Sequence, residues 1–226
     1  VFDLIAHASD AVLAGGVRRS ALIMLFSPDD HDMMTCKTGD WFNETPQRAR
    51  ANISVAIKRD ELTKDNIDEM LKCAKDFGEP GLSLCDNDDT SFNPCHEIAL
   101  YPTYIDEDGT KQYGFEMCNL SEINVVKCTT AQEFLAACEC AATVGTIQAS
   151  YNKFPFLGKH TERIVAESAL LGVSLTGIMQ NVEIGLNSDL LEQGVAVIRS
   201  TNDMLSDLLG ISRSKRLTTV KPSGTA

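Results

Sequence analysis

No run of 18 apolar residues occurs in this 226-residue chain, although 43% of it is hydrophobic, so no transmembrane helix is expected. The N-terminus also lacks the basic, apolar and small-residue succession of a signal peptide. Positive charge is in deficit: 20 lysines and arginines stand against 32 aspartates and glutamates, a net charge of −12. That balance argues against a nucleic-acid or anionic-membrane surface. An anionic ligand needs a local reversal of sign, for which Arg18, Arg19, Lys221 and a helix N-terminus are the sources. No internal repeat or low-complexity segment is present.

What is present includes eight cysteines. Without a secretion signal they indicate free thiols in a reducing, cytoplasmic compartment, and a disulfide framework is not expected at this size. Cys138 and Cys140 fall in an alanine-rich helical stretch, where i and i+2 point about 200° apart, a poor metal clamp. Both read as small core residues. Cys36, Cys73, Cys85 and Cys128 have no His or Cys at ligand spacing and read as structural, so no metal site is expected.

Strand-like and helix-like patterns alternate. Residues 21–26 (ALIMLF) are a short apolar run of the kind covered on both faces in a parallel sheet, followed by a short helix over 31–38. Residues 53–57 are a second buried strand, Thr63 caps a helix over 64–77, and 82–85 make a third strand. The spacing predicts a strand at 93–98, a polar excursion over 101–113 turning at Asp106 to Gly109, and an extended segment over 115–120. Helices follow at 130–150 and 159–170, then a strand at 172–178, a long amphipathic helix at 189–209 closed by Gly210, and a last strand at 217–220. This alternation defines an α/β class. Both ends read as interior points of a longer chain: Val1 already lies in an amphipathic helix, and Ala226 directly follows a loop motif.

The most informative run is Asn93-Pro94-Cys95-His96-Glu97, joined by Cys118 in Glu116-Met117-Cys118-Asn119-Leu120. In an extended segment, residues i, i+2 and i+4 share a side. The spacing therefore predicts Asn93, Cys95 and Glu97 projecting from one short strand into a pocket enclosed by strands. A thiol with a carboxylate base and an orienting amide is a reaction site in outline. Singly, these residues have plainer readings: a small hydrophobe, a surface glutamate, a turn asparagine. No histidine is placed by a recognisable motif to pair with Cys95, so an unrelated cysteine enzyme of the amidohydrolase kind lacks support.

Together these residues resemble the catalytic, large subunit of ribonucleotide reductase. Two further segments carry the resemblance. Gly15, Gly16, Val17 and Arg18, leading into Arg19-Ser20-Ala21, are similar to the family's substrate-specificity loop. Thr218-Thr219-Val220-Lys221-Pro222-Ser223-Gly224-Thr225 is similar to the loop that holds the substrate's phosphates. Glycine permits the close backbone approach such loops need, although alone the Pro222 to Thr225 run reads equally as a plain turn.

The resemblance implies that residues 1–226 are a partial barrel domain, a portion of a ten-stranded α/β barrel with a central loop carrying the radical cysteine. It implies reduction of ribonucleotides to 2′-deoxyribonucleotides by a thiyl radical, for DNA synthesis. Cys95 would be the thiyl, Glu97 the base for the 3′ hydroxyl, and Asn93 the group that hydrogen-bonds the ribose hydroxyls or Glu97 and fixes their geometry. Cys118 would be one of two reductant thiols, near Cys95 on a neighbouring strand and without a disulfide in this chain. Its partner would lie upstream of the specificity loop. Pro222, Ser223, Gly224 and Thr225 would bind substrate phosphate.

The Asn-Pro-Cys form, the Lys-Pro-Ser-Gly-Thr loop and residues 159–164 (KHTERI) look most like the adenosylcobalamin-dependent type, in which no histidine here is nominated as a cobalt ligand. His96 stands where that type most often has glycine. The implied partners are a ribonucleotide, deoxynucleoside triphosphate or ATP effectors, a thioredoxin-type dithiol and the remainder of the reductase chain, with no nucleic acid and no membrane. The alternative is a catalytically inactive barrel fragment or split-gene piece that needs the rest of the chain.

Overall fold

The computed structural model describes residues 1–14 and 21–222. The chain divides into two compact units, Val1–Ala99 and Leu100–Ala226.

The first unit is built on a three-stranded parallel sheet, β1 (Leu22–Phe26), β2 (Ala51–Lys58) and β3 (Gly81–Cys85), in that order. Helix α1 (Phe2–Ala14) precedes it. Between β1 and β2 lie α2 (His31–Thr35), α3 (Trp41–Glu44) and a 3₁₀ turn at Pro46–Arg50. Between β2 and β3 lies α4 (Lys64–Ala74). Thr63 starts α4 through a reciprocal capping box with Asn66, which satisfies amide groups that a helix start leaves without partners. The α1 end is fastened by a two-pronged ion pair from Arg48 to Asp3, at 2.8 Å on each oxygen. That guanidinium pulls the Asp3 carboxyl down to about 2.

The two faces of this sheet differ. Ile53, Val55 and Ile57 are buried with Phe26, Met34 and Met70 in one apolar cluster. Each such side chain contributes about 1.5–3 kcal/mol of transfer free energy. Asn52, Ser54 and Ala56 of β2 alternate with these residues and, with Gly81 and Ser83 of β3, form the other face. Ser54 and Ser83 are buried there. Strand β1 departs from the expectation of cover on both faces: Leu22 to Leu25 are only half-buried, and Phe26 alone is fully buried.

Short strands β4 (Ser91–Phe92) and β5 (Ala99–Leu100) flank residues 93–98. These residues form no strand.

In the second unit, β6 (Thr103–Ile105) and β7 (Lys111–Tyr113) make an antiparallel hairpin, tipped as expected at Asp106 to Gly109, where the Gly109 N–H donates to the Asp106 carbonyl at 3.0 Å. Its centre is a parallel pair, β8 (Cys118–Asn124) with β9 (Leu170–Thr176). Helix α5 (Ala131–Ala149), capped by Thr130 and Glu133, precedes α6 (Gly158–Ser168). The short α7 (Val182–Gly185) leads to α8 (Ser188–Leu209), closed by Gly210 in the left-handed conformation.

Helices α5 and α8 approach closely at Gly194, where a Cβ would come within 2.9 Å of the Phe134 ring. Asn202 is buried and donates to Thr146 Oγ1 at 2.9 Å while accepting from the Ser214 N–H at 3.0 Å, so the buried amide is satisfied. The strand expected at 217–220 is a single bridge, Val173 to Thr218. Lys221 is held by its N–H to Ser174 Oγ at 2.9 Å.

The strands are thus mixed α/β with parallel pairing in each unit. The described strands form one three-stranded sheet and two-stranded pairs rather than ten strands in a ring. Among the described residues, no helix is long and apolar enough to cross a membrane, and no group of three or more His, Cys, Asp or Glu is arranged to hold a metal.

Candidate active site

Asparagine and proline are favoured at the first two positions of a β-turn, and Asn93-Pro94-Cys95-His96 folds accordingly. The His96 N–H donates to the Asn93 carbonyl at 2.8 Å, closing the turn. His96 then takes φ 68°, in the left-handed region that non-glycine residues enter at a cost of about 1–3 kcal/mol. The extended geometry expected for 93–98 is therefore corrected. Side chains do not alternate along this run, because a turn and a positive φ reset the direction of each.

The turn nonetheless brings Asn93 and Glu97 together. Asn93 Nδ2 donates to Glu97 Oε2 at 2.6 Å, and Asn93 Oδ1 accepts from the Ile98 N–H at 2.9 Å. The Asn93 N–H donates to the Ile98 carbonyl at 3.3 Å. One asparagine thus closes the mouth of the turn and fixes the carboxylate. Cys95 stands at the tip and is exposed, not enclosed by strands as the sequence suggested.

The turn is fastened to the sheet by residues that sequence reasoning missed. Asn52 Nδ2 donates to the Pro94 carbonyl at 2.7 Å. His96 Nε2 lies 2.5 Å from Ser83 Oγ, and the His96 ring stacks on Phe92 with centroids 4.2 Å apart and planes 16° from parallel. Burial pushes the His96 imidazole below its ordinary value, with neighbouring Glu97 opposing. A signal for this face was available: Ile53-Ser54-Val55-Ala56-Ile57 and Leu82-Ser83-Leu84 alternate large with small.

Cys118 opens β8 opposite Leu170 and is half-buried. All eight cysteines are thiols. Burial raises Cys36, Cys85 and Cys128, and pushes Cys138 to about 11. Cys138 is buried, but Cys140, expected in the core, is exposed on the opposite side of α5. Pro222 closes the described chain. Ser223, Gly224 and Thr225, and the specificity-loop residues Gly15, Gly16, Val17 and Arg18, lie outside the described residues.

The fold is that of part of a ribonucleotide reductase large chain. A solved B12-dependent, class II ribonucleotide reductase superposes with a TM-score of 0.64 and 21% identity, over 89% of this chain and 32% of that one. The α subunit of an Actinobacillus ureae class Id ribonucleotide reductase superposes with a TM-score of 0.54 and 14% identity, over 88% and 45%. No protein-family model matches the chain.

In sequence, the resemblance is to the adenosylcobalamin-dependent type and runs the whole length of the chain. A Dictyostelium discoideum protein named probable adenosylcobalamin-dependent ribonucleoside-triphosphate reductase is 24% identical, over 100% of this chain and 30% of its own. The adenosylcobalamin-dependent ribonucleoside-triphosphate reductase of Lactobacillus leichmannii is 26% identical, over 99% and 34%. The chain thus spans about a third of the length of these curated relatives.

Proposed function

We propose that this chain is the thiyl-radical core of an adenosylcobalamin-dependent ribonucleotide reductase. In the whole protein it would complete a ten-stranded α/β barrel in a reducing, cytoplasmic setting. The observation that carries this reading is the Asn93–Glu97 hydrogen bond on the same turn as the exposed Cys95. It holds a base and an orienting amide beside a thiol.

The exposed tip of the turn fits approach by a bulky radical-generating group, and Cys95 is the residue that would meet it. The chemistry that adenosylcobalamin supplies when bound is the one-electron oxidation of that thiol. As a thiyl, Cys95 takes the hydrogen atom from the ribose 3′ carbon. Glu97 accepts the 3′ hydroxyl proton, and Asn93 holds the carboxylate in line for it. The 2′ hydroxyl leaves as water with a proton from a reductant thiol. Cys118 is one of two thiols that deliver two electrons and end as a disulfide, and Cys95 returns its hydrogen to the 3′ carbon. A thioredoxin-type dithiol restores the pair. Gly15, Gly16, Val17 and Arg18 read the effector nucleotide, a deoxynucleoside triphosphate or ATP, and Pro222, Ser223, Gly224 and Thr225 receive the substrate phosphates.

The test is the full-length protein with adenosylcobalamin, a dithiol and each ribonucleotide. Deoxynucleotide is expected, and Cys118→Ser should release free base in its place, because the substrate radical forms but is not reduced. Product formation that ignores adenosylcobalamin and requires a separate metal-containing subunit would contradict the type. Normal deoxynucleotide from Cys118→Ser would contradict the role.

A further inference from the structure

The turn that carries Cys95 is anchored to the sheet through the residue that follows it. At φ 68°, position 96 suits glycine, which enters the left-handed region without a Cβ penalty. A histidine there bears strain that glycine would avoid, so the side chain must supply something in return. The structure shows what it supplies. One ring face stacks on Phe92, just before the turn, and Nε2 meets Ser83 Oγ on β3. Ser83 is fully buried at 0% exposure, so its hydroxyl is a fixed point of the sheet, and which of the two atoms donates depends on the imidazole tautomer.

We propose that His96 is a positioning residue: clamped between Ser83 and Phe92, it fixes the backbone from which the Cys95 thiol projects. The inference rests on the reading of Cys95 as the reacting thiol. Two further contacts confine the turn, Asn52 to the Pro94 carbonyl and Asn93 across its mouth. The His96 N–H, donating to the Asn93 carbonyl at 2.8 Å, orients the peptide between Cys95 and His96 within the turn, and the His96 ring ties that same residue to β3. A neutral ring suits the task, since burial disfavours its charged form.

The experiment uses the full-length protein with adenosylcobalamin, dithiol and ribonucleotide, and compares Ser83→Ala, His96→Gly, their combination, and His96→Asn. Asparagine also enters the left-handed region but cannot stack. Misplacing a reacting atom lowers kcat far more than binding, so Ser83→Ala and His96→Gly should each lose about tenfold in kcat with KM within about twofold. Because both act through one contact, the double variant should be no slower than the slower single. His96→Asn should lose no less than Ser83→Ala.

A second readout is independent of turnover. Iodoacetamide labelling of Cys95, followed by peptide mass spectrometry, should quicken about threefold in both single variants as the turn loosens, with labelling of Cys140 unchanged. An active enzyme whose kcat and Cys95 labelling survive both substitutions would overturn the clamp and leave the function standing. Multiplicative losses in the double variant would overturn it too. Quickened labelling in a protein that reduces no ribonucleotide would support the clamp and remove the function.

Discussion

The two faces of the β1–β2–β3 sheet are made by alternate residues of the same strands, yet they have different tasks. Ile53, Val55 and Ile57 point to one face and are buried among Met34, Met70 and Phe26. Asn52 and Ser83 point to the other and hold the turn that presents Cys95. The first face offers apolar area to helices. The second offers small side chains and hydrogen bonds, which let a loop lie close to the backbone. Substitution on the first face should cost stability and leave chemistry intact, and substitution near the turn should do the reverse.

The largest contrast comes from exchanging one residue on each side. Asn93→Ala removes the bonds to Glu97 and to the Ile98 N–H. Misplacing a catalytic group by about an ångström can cost about 100-fold in rate, so kcat in the full-length enzyme should fall by about that factor with little change in denaturation midpoint. Ile53→Ala, at a site 1% exposed, should cost about 2–5 kcal/mol in urea unfolding while the surviving folded enzyme keeps its kcat. Equal effects of both substitutions on both measurements would break the comparison.

The smallest effect concerns pH. His96 has its folded value lowered from 6.5 by burial, so below about 6.5 the unfolded chain binds a proton that the folded chain refuses. The unfolded state then holds more protons, and stability falls as pH drops through that range and is unaffected above it. His96→Asn should flatten this acid-side slope, measurable as urea midpoints between about pH 5 and 7. A steeper slope in the variant would reverse the assignment.

Much of the fold is legible in local sequence where local chemistry decides it. Thr63 with Asn66 and Thr130 with Glu133 announce their helices by capping, and Gly210 ends the last one, because these signals satisfy backbone groups within a turn of the residue itself. The Asn93 to Glu97 run stands out in the sequence as a candidate site, but its geometry does not. Its spacing suits a strand, whereas a proline and a positive φ at His96 make a turn. The anchors Asn52, Ser83 and Phe92 were not legible as site residues. Asn52 and Ser83 lie on separate strands, and only the parallel register places them beneath the turn. Residues 217–220 read as a strand from their pattern, but only Thr218 forms a bridge.

The central claim is that one exposed thiol on this turn carries the reaction while the sheet beneath only holds it. Cys95→Ser in the full-length protein, assayed with adenosylcobalamin and dithiol for deoxynucleotide and by urea unfolding for stability, tests it most directly. A hydroxyl O–H bond is too strong to replace the thiol in hydrogen-atom exchange, and the position is exposed. Product formation should therefore vanish while the unfolding midpoint stays in place. Normal turnover by the serine variant would contradict the account.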